Sequence, residues 1–295
     1  MTWLSGTLPP SERLIFESEA VCIGTVRCAP DHADFRDCGG ARSFCFVFPR
    51  SAVIIRQPER PAFTEDPTVI SFYNQCQPYE RLPLSPDGDR CEWFGIAPAI
   101  VREAVRPYDH GAADDERRPL RMASVRSRSA SYLRQRLLVE QLTSEPAAVD
   151  ALEVEETVLG LLDRAVADAY AVQTRRPSGG TATRDLAEHA RRVLARHFRE
   201  PITLTALAAS LDTSVFHLCR VFRHVCGTSI HQHLTELRVR AAVEPLRDRS
   251  IDLARLAVDL GFSTHSHFTA VFRRRFGRTP SEVRAAISRR GTPRP

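Results

Sequence analysis

The sequence has no lysine, so all 41 of the basic side chains among its 295 residues are arginines, which we attribute to a compositional habit of the source genome. It also has no apolar run near the 18 or so residues that span a bilayer. Its first ten residues place no basic residue before an apolar core, and Pro9-Pro10 interrupts them. We therefore expect a cytoplasmic protein with no membrane segment, whose eight cysteines are thiols.

Catalytic and metal-binding signatures are also missing. The sequence contains no G-x-S-x-G, no P-loop, no H-E-x-x-H and no glycine fingerprint for a dinucleotide. His32 and His110 lie far apart, and no two cysteines have the C-x₂₋₄-C spacing of a structural zinc site. We expect no catalytic residue, cofactor or metal. An enzyme domain fused to a binding domain stays an alternative that no motif supports.

The C-terminal third contains one pattern twice. Apolar residues at i, i+3, i+4 and i+7 predict a short helix in each copy: Leu204, Leu207, Ala208 and Leu211, and then Leu253, Leu256, Ala257 and Leu260. A tight break follows, at Asp212-Thr213 and at Gly261-Phe262. A second helix then begins after a capping residue, which is Ser214 in the first copy and either Ser263 or Thr264 in the second. These helices are predicted over 215–225 and 265–276, and both end at a glycine, Gly227 or Gly277.

A short helix, a tight turn and a longer helix form a helix-turn-helix, so this region is predicted to contain two. A connecting helix from Ile230 to about Leu246 could hold the two second helices about 34 Å apart, one turn of B-DNA. Pro245 should kink or end that connector. Residues 181–295 carry 20 arginines against 10 acidic residues, whereas residues 1–180 carry 21 against 26. Only the basic part is expected to meet a polyanion.

At these residues the sequence resembles the DNA-binding domain of AraC/XylS-type transcription regulators. The shared text includes His217-Leu-Cys-Arg-Val-Phe222, Gly261-Phe262-Ser263, Phe276-Gly277 and Thr279-Pro280-Ser281. In that family the second helix of each motif reads bases, in two successive major grooves. The residues that the resemblance and the outward helix faces assign to DNA are Ser214, Phe216, Cys219, Arg220, Arg223, His265, Ser266, His267, Thr269 and Arg273. Ala270 stands where the family often has a basic residue, so the second helix is expected to read DNA less sharply.

Residues 20–98 are predicted to be rich in β-strands, in a small barrel or sandwich. The predicted strands are 20–26, 42–48, 52–56, 68–73 and 91–96. The family resemblance implies a cupin-like barrel here that binds an effector or oligomerises. Nearby aromatic residues fit a ligand pocket or an ordinary core, and both interpretations stay open. Cys45 and Cys91 are expected in the core, while a thiol or metal sensor built from Cys22, Cys28 and Cys38 is an alternative function.

The chain is predicted to become helical from about Ser129, over 132–142 and 146–173. Leu152, Leu159, Leu162, Val166 and Ala169 mostly keep a 3/4 spacing that suits a short dimer seam. The same stripe could instead pack on its own chain. Arg175-Arg-Pro-Ser-Gly-Gly180 is the clearest linker, and a helix over 183–198 follows it.

These patterns predict an α+β protein in four parts. A β-rich regulatory domain over 1–125 precedes a helical dimerisation segment over 126–175, a linker over 176–182 and an all-α domain with two helix-turn-helix motifs over 183–288. We expect double-stranded DNA and a second copy of the chain as partners. The family resemblance also implies a small-molecule effector and RNA polymerase.

Overall fold

The computed structural model describes residues 8–58, 60–173 and 180–289 of the chain. They form a mixed α/β protein, with sheets in the N-terminal region and helices in the C-terminal part. By their contacts the residues divide into two compact units. The first comprises the described residues up to 131 and from 138 to 173, and the second comprises 132–137 and those from 180 on.

Ten antiparallel strands of the first unit make two sheets. The strands are β1 (Glu12–Glu17), β2 (Val21–Cys28), β3 (Asp37–Gly40), β4 (Phe44–Pro49), β5 (Val53–Arg56), β6 (Phe63–Glu65), β7 (Val69–Tyr73), β8 (Pro78–Pro83), β9 (Asp89–Ile96) and β10 (Ser124–Arg126). The larger sheet has the order β1-β2-β9-β4-β7-β10, and the smaller one has the order β3-β8-β5-β6.

The two sheets share one core because their strands alternate apolar side chains between two faces. On β4, Cys45 and Val47 point into this core with Ile55 of the smaller sheet. Phe46 and Phe48 lie on the other face, where the Phe46 ring stacks on the Phe94 ring with centroids 5.1 Å apart. The prediction that Cys45 and Cys91 are core residues is therefore confirmed, since both are buried.

The five predicted strands all exist, as β2, β4, β5, β7 and β9. The other five, β1, β3, β6, β8 and β10, were not predicted. Of these, β6 lies in a proline-containing stretch, and β8 begins and ends with proline. Within the described residues the strands form two open sheets. The sheet region is thus confirmed, whereas a closed barrel is not seen.

Four helices complete the first part of the chain: α1 (Pro98–Val105), α2 (His110–Ala113), α3 (Ser129–Ser144) and α4 (Ala151–Gln173). The α4 helix packs on β10 and α1. Of the proposed seam, Leu162, Val166 and Ala169 are buried inside this chain, Leu159 is half-buried and Leu152 is exposed. These apolar residues of α4 therefore pack mainly on their own chain, which was the alternative to a dimer seam.

Seven helices form the second unit: α5 (Thr181–His197), α6 (Leu204–Ser210), α7 (Val215–Cys226), α8 (Ile230–Ala241), α9 (Leu253–Asp259), α10 (His265–Phe276) and α11 (Pro280–Arg289). The connector α8 ends before Pro245, which begins a separate 3-10 turn, as the sequence predicted. Most of the predicted linker lies outside the described residues. None of the helices in the described ranges combines the length and apolarity that a membrane span requires.

Candidate nucleic-acid interface

The first helix-turn-helix consists of α6 and α7. The Thr203 hydroxyl accepts a hydrogen bond from the Ala206 backbone N–H at the start of α6 (3.1 Å). Asp212 makes the turn with a φ of 49°, a left-handed conformation that aspartate tolerates better than most residues. The Ser214 hydroxyl then accepts from the His217 N–H (3.2 Å), and Gly227 ends α7 at a φ of 66°. The predicted caps of α7 are confirmed.

One face of α7 is buried and the other is open. Leu218 and Phe222 pack with Leu194, Leu207 and Leu234 in the core of this half. On the opposite face the Phe216 side chain is 77% exposed. A single exposed apolar side chain is ordinary on a protein surface, and it is the exposed arginines beside it that suit this face to a polyanion. Arg220 and Arg223 are also exposed, whereas Cys219 is half-buried and packs against the core.

The second helix-turn-helix repeats this construction in α9 and α10. Of the two candidate caps, Thr264 is the one used: its hydroxyl accepts from the His267 N–H (3.1 Å). Gly261 makes the turn at a φ of 78°, and Gly277 ends α10 at 72°. The turn of the second copy is one residue longer, because Asp212 precedes its cap by two residues and Gly261 precedes its cap by three.

The outward face of α10 is polar and carries no exposed aromatic ring. Its predicted members His265, Ser266, His267 and Arg273 are exposed, and Thr269 is half-buried. His265, Ser266, Thr269 and Arg273 border a shallow open depression that also reaches Arg274 and Thr279, whereas His267 lies outside it. The ring of His265 lies 3.4 Å from the Thr269 hydroxyl, and His267 Nδ1 lies 3.4 Å from the Ser263 hydroxyl. Arg274 is not among the residues that the sequence assigned to DNA.

Arg238 of the connector α8 ties the two motifs together, a role that the sequence analysis missed. Its guanidinium donates to the carbonyl oxygens of Phe198 (2.7 Å) and Glu200 (2.9 Å), which follow α5. It also donates to the Gly261 carbonyl (2.8 Å), in the turn of the second motif. One rigid, planar group thus joins both halves of the unit. In the sequence Arg238 is one of the three charged residues of α8, with Glu236 and Arg240, and nothing local sets it apart.

A second connection is ionic and buried. The Glu236 carboxylate accepts from Arg240 Nε (3.2 Å) on the same helix and lies 3.1 Å from Arg275 Nη1 of α10. Glu236 and Arg240 are almost completely enclosed. Removing one member of a buried, hydrogen-bonded ion pair leaves an uncompensated charge. The network therefore fixes α10 on the connector.

Comparison with known proteins places these helices in a family. A family profile described as a helix-turn-helix domain matches residues 207–286. The regulatory protein SoxS of Escherichia coli K12 is 32% identical over 88 residues, which are 30% of this chain and 82% of SoxS. The chain belongs to the AraC/XylS family of transcription regulators.

Two further proteins are similar to parts of this chain. The bifunctional transcriptional activator/DNA repair enzyme AdaA of Bacillus subtilis is 27% identical over 89 residues, which are 30% of this chain and 42% of AdaA. An AraC-type regulator structure from Chromobacterium violaceum is similar over 37% of this chain and 97% of its own, with 26% identity and a TM-score of 0.34. This AraC-type protein is thus a DNA-binding transcription regulator, and the relatives that it matches are mostly regulators.

The N-terminal cysteines of this AraC-type regulator do not form a metal cluster. Within residues 8–58, 60–173 and 180–289, no three His, Cys, Asp or Glu side chains are grouped to hold an ion. Burial raises the pKa of Cys22 to about 12, and it also raises the pKa of Cys28 and Cys38. A reactive thiol needs a lowered pKa. The geometry therefore gives the sensor alternative no support.

Proposed function

We propose that the outward faces of α7 and α10 read two successive major grooves of one DNA duplex. Phe216 and Arg220 are the principal readers of the first groove. An aromatic ring suits a thymine methyl, and a guanidinium suits the O6 and N7 acceptors of guanine. Cys219 and Arg223 border them. Ser214 combines its capping role with a position at the groove edge.

His265, Ser266 and His267 are the readers that we propose for the second groove, with Thr269 and Arg273 beside them. The observation that carries the proposal is the matched construction of the two motifs. Both second helices begin at a hydroxyl cap and end at a left-handed glycine. Arg238 joins the segment that follows α5 to the turn of the second motif. Such a rigid arrangement suits two grooves about 34 Å apart.

The test is DNA binding by a fragment of residues 181–290. We expect this fragment to bind as a monomer, because both reader helices lie on one chain. Its affinity should fall steeply between 50 and 200 mM salt, since arginine–phosphate contacts release counterions. Fluorescence anisotropy with labelled duplexes measures this. An affinity that is independent of salt, or no affinity for any duplex, would contradict the proposal.

For the first unit we propose the role of a cupin-like effector domain. The support is a cavity between its two sheets that has about 60 Å³ of space accessible to water and is lined by apolar side chains with a few polar groups. Ligand pockets commonly have such a lining. Contact with RNA polymerase remains a prediction from family membership.

We also propose that the protein dimerises through the exposed edge of α4. Leu152 is 62% exposed there and Leu159 is half-buried, whereas Leu162 is only 2% exposed. Replacing Leu152 and Leu159 by Glu should therefore give a folded monomer in sedimentation experiments. Leu162→Glu should instead unfold the first unit, because it buries an unpaired charge. A double variant that stays dimeric would place the interface elsewhere.

A further inference from the structure

The cavity between the sheets has an apolar wall and a charged end. Apolar side chains from both sheets line it, namely Val26, Cys45, Val47, Ile55 and Cys91. The rings of Tyr73 and Tyr79 lie 4.8 Å apart and inclined by 53°, and Trp93 completes an aromatic side. Gly24 allows this position of Trp93, since a Cβ there would lie 2.3 Å from the indole ring. The aromatic side is therefore built into the strand pairing.

The hydrogen-bond donors around the cavity are mostly engaged by the protein itself. Arg81 donates through Nε to the Phe35 carbonyl (3.2 Å), through Nη2 to the Asp34 carbonyl (2.8 Å) and through Nη1 to the Asp89 carboxylate (2.6 Å). The Tyr73 hydroxyl donates to Glu65 Oε2 (2.8 Å). A ligand that needs donors, such as a carboxylate, would have to displace these bonds.

Acceptors, by contrast, are in excess. Three carboxylates line the cavity, those of Glu12, Glu65 and Asp89, against two guanidinium groups, Arg42 and Arg81. Arg81 is paired with Asp89, and the positive charge of Arg42 lowers the pKa of Glu12 against the effect of its burial. This leaves Glu65, which is 3% exposed, without a cationic partner of its own among the hydrogen bonds and ion pairs of the described residues.

We infer that this cavity binds an organic ammonium ion, with its nitrogen near the Glu65 carboxylate and its apolar or aromatic body against Tyr73, Tyr79 and Trp93. An ammonium group offers only donors, which matches an acceptor-rich site. Aromatic faces attract cations and add to the ionic contact. The inference rests on the proposed role of the first unit as an effector domain and specifies the chemistry of that effector.

The burial of Glu65 makes its charge, and therefore the binding of a cation, dependent on pH. Burial raises the pKa of Glu65 to about 8, and Asp89 raises it further, while Tyr73, Ser71 and Arg81 oppose the shift. The groups from neighbouring strands that face it are Cys45, Ser71, Tyr73, Arg81, Asp89 and Cys91. The carboxyl is thus largely neutral at pH 7 in the empty cavity. A bound cation would favour the carboxylate and release the proton.

A fluorescence experiment can test the charge preference directly. The sequence has two tryptophans, so Trp3→Phe leaves Trp93 as the only one in the full chain. The probes are 2-phenylethylammonium, the neutral 2-phenylethanol and the anionic 3-phenylpropanoate. The ammonium probe should saturate the Trp93 signal at a concentration at least about tenfold below that of the alcohol, a difference of about 1.4 kcal/mol. The anion should bind most weakly.

The pH dependence and one isosteric variant sharpen the test. Below pH 8 the ionised fraction of Glu65 falls, so the ammonium affinity should fall by about tenfold from pH 7.5 to 6.5. The alcohol should show no such change. Glu65→Gln should remove both the ammonium preference and this pH dependence. Glu103→Gln, at an exposed position of α1, should change neither. Far-ultraviolet circular dichroism checks that each variant is folded.

The inference is overturned if the alcohol or the anion binds as tightly as the ammonium ion, if no probe gives a saturable signal, or if folded Glu65→Gln keeps the preference. DNA affinity measured on the same proteins separates this result from the proposed function. Glu65→Gln should bind DNA as the unmodified chain does in the absence of ammonium. A chain that binds the ammonium probe but no duplex would contradict the proposed function and leave the cavity assignment intact.

Discussion

The two helix-turn-helix motifs share one outline but differ in their turns and outward faces. The first turns at Asp212 and the second at Gly261, both with positive φ. The difference has a structural reason: a Cβ at Gly261 would lie 2.7 Å from the Arg238 guanidinium and 2.9 Å from the Arg199 carbonyl. Asp212 can keep a side chain, but Gly261 cannot, because the second turn is the place where the two halves are joined.

The outward faces of the two second helices also differ, and here the first motif carries the larger side chains. The first motif presents a large ring and a guanidinium, Phe216 and Arg220, whereas the second presents two imidazoles, a hydroxyl and Ala270. The second motif is thus joined to the connector through Gly261 and Arg275, whereas the first carries the side chains that we propose as the stronger base readers. On that proposal the two copies divide their tasks, because one fixes the position of the pair and the other recognises the sequence.

Gly261→Ala should have the largest effect on this comparison. The new methyl meets the Arg199 backbone and forces a left-handed conformation on alanine, so the 181–290 fragment should lose about 2–4 kcal/mol of unfolding free energy. Urea denaturation followed by circular dichroism measures this. The matched variant in the first motif, Asp212→Gly, should change stability by less than about 1 kcal/mol. Equal losses at the two turns would contradict the asymmetry.

Arg238→Met should have the next largest effect. Methionine keeps much of the apolar stem but leaves the carbonyls of Phe198, Glu200 and Gly261 without their donor. We expect a loss of about 2–3 kcal/mol in unfolding free energy. Binding to a two-groove site should weaken as well, since the two readers are no longer held in register. Arg196→Met, at an exposed position of α5, is the control and should change neither quantity. A stable Arg238→Met with full affinity would refute the joining role.

Arg220→Ala should weaken specific binding by about 1–3 kcal/mol and relax the preference at one or two base pairs. Arg199 is the control, since it is exposed outside the reader helices and its guanidinium lies 5.2 Å from the Phe198 ring. If Arg199 contacts only phosphate, Arg199→Ala should weaken binding to all sequences alike. Binding curves on a panel of single-base-pair variants distinguish the two. If both variants had identical specificity profiles, Arg220 would not be a base reader.

Ala270→Arg should give the smallest effect and one of the opposite sign. It adds a long basic side chain to the exposed face of α10, and we expect about 1 kcal/mol tighter binding to sequences with guanine in the second groove. Anisotropy titrations on paired duplexes, with and without that guanine, measure the gain. Tighter binding to all duplexes alike would mean that the new arginine contacts phosphate only.

Local patterns predicted much of this molecule, and long-range contacts explain what they missed. The 3/4 spacing of apolar residues and the cap residues predicted α6, α7, α9 and α10 almost to the residue, because helix ends depend on neighbours in sequence. The pattern could not show that Leu162 packs inside its own chain, since the same stripe suits a dimer. It also could not assign Arg238, whose three acceptors are distant in sequence.

In the sheets, β6 and β8 escaped prediction for a related reason. The run Pro78–Pro83 begins and ends with proline, which cannot donate a ladder hydrogen bond, and it becomes a strand because β5 and β3 lie on either side of it. The cavity likewise assembles from strands far apart in the sequence. Aromatic clustering near Tyr73 and Trp93 indicated either a pocket or a core. Only the arrangement of Glu65, Arg81 and Asp89 in the structure indicates which class of ligand the cavity suits.

The most direct test of the central claim is a selection of bound sequences from randomised duplexes by the unmodified full-length protein. We predict two conserved segments about one helical turn apart. The segment read by Phe216 and Arg220 should have high information content, and the one read by His265, Ser266 and His267 should have lower content. Equal content in the two segments, or a sharper second one, would contradict the division of tasks between the motifs.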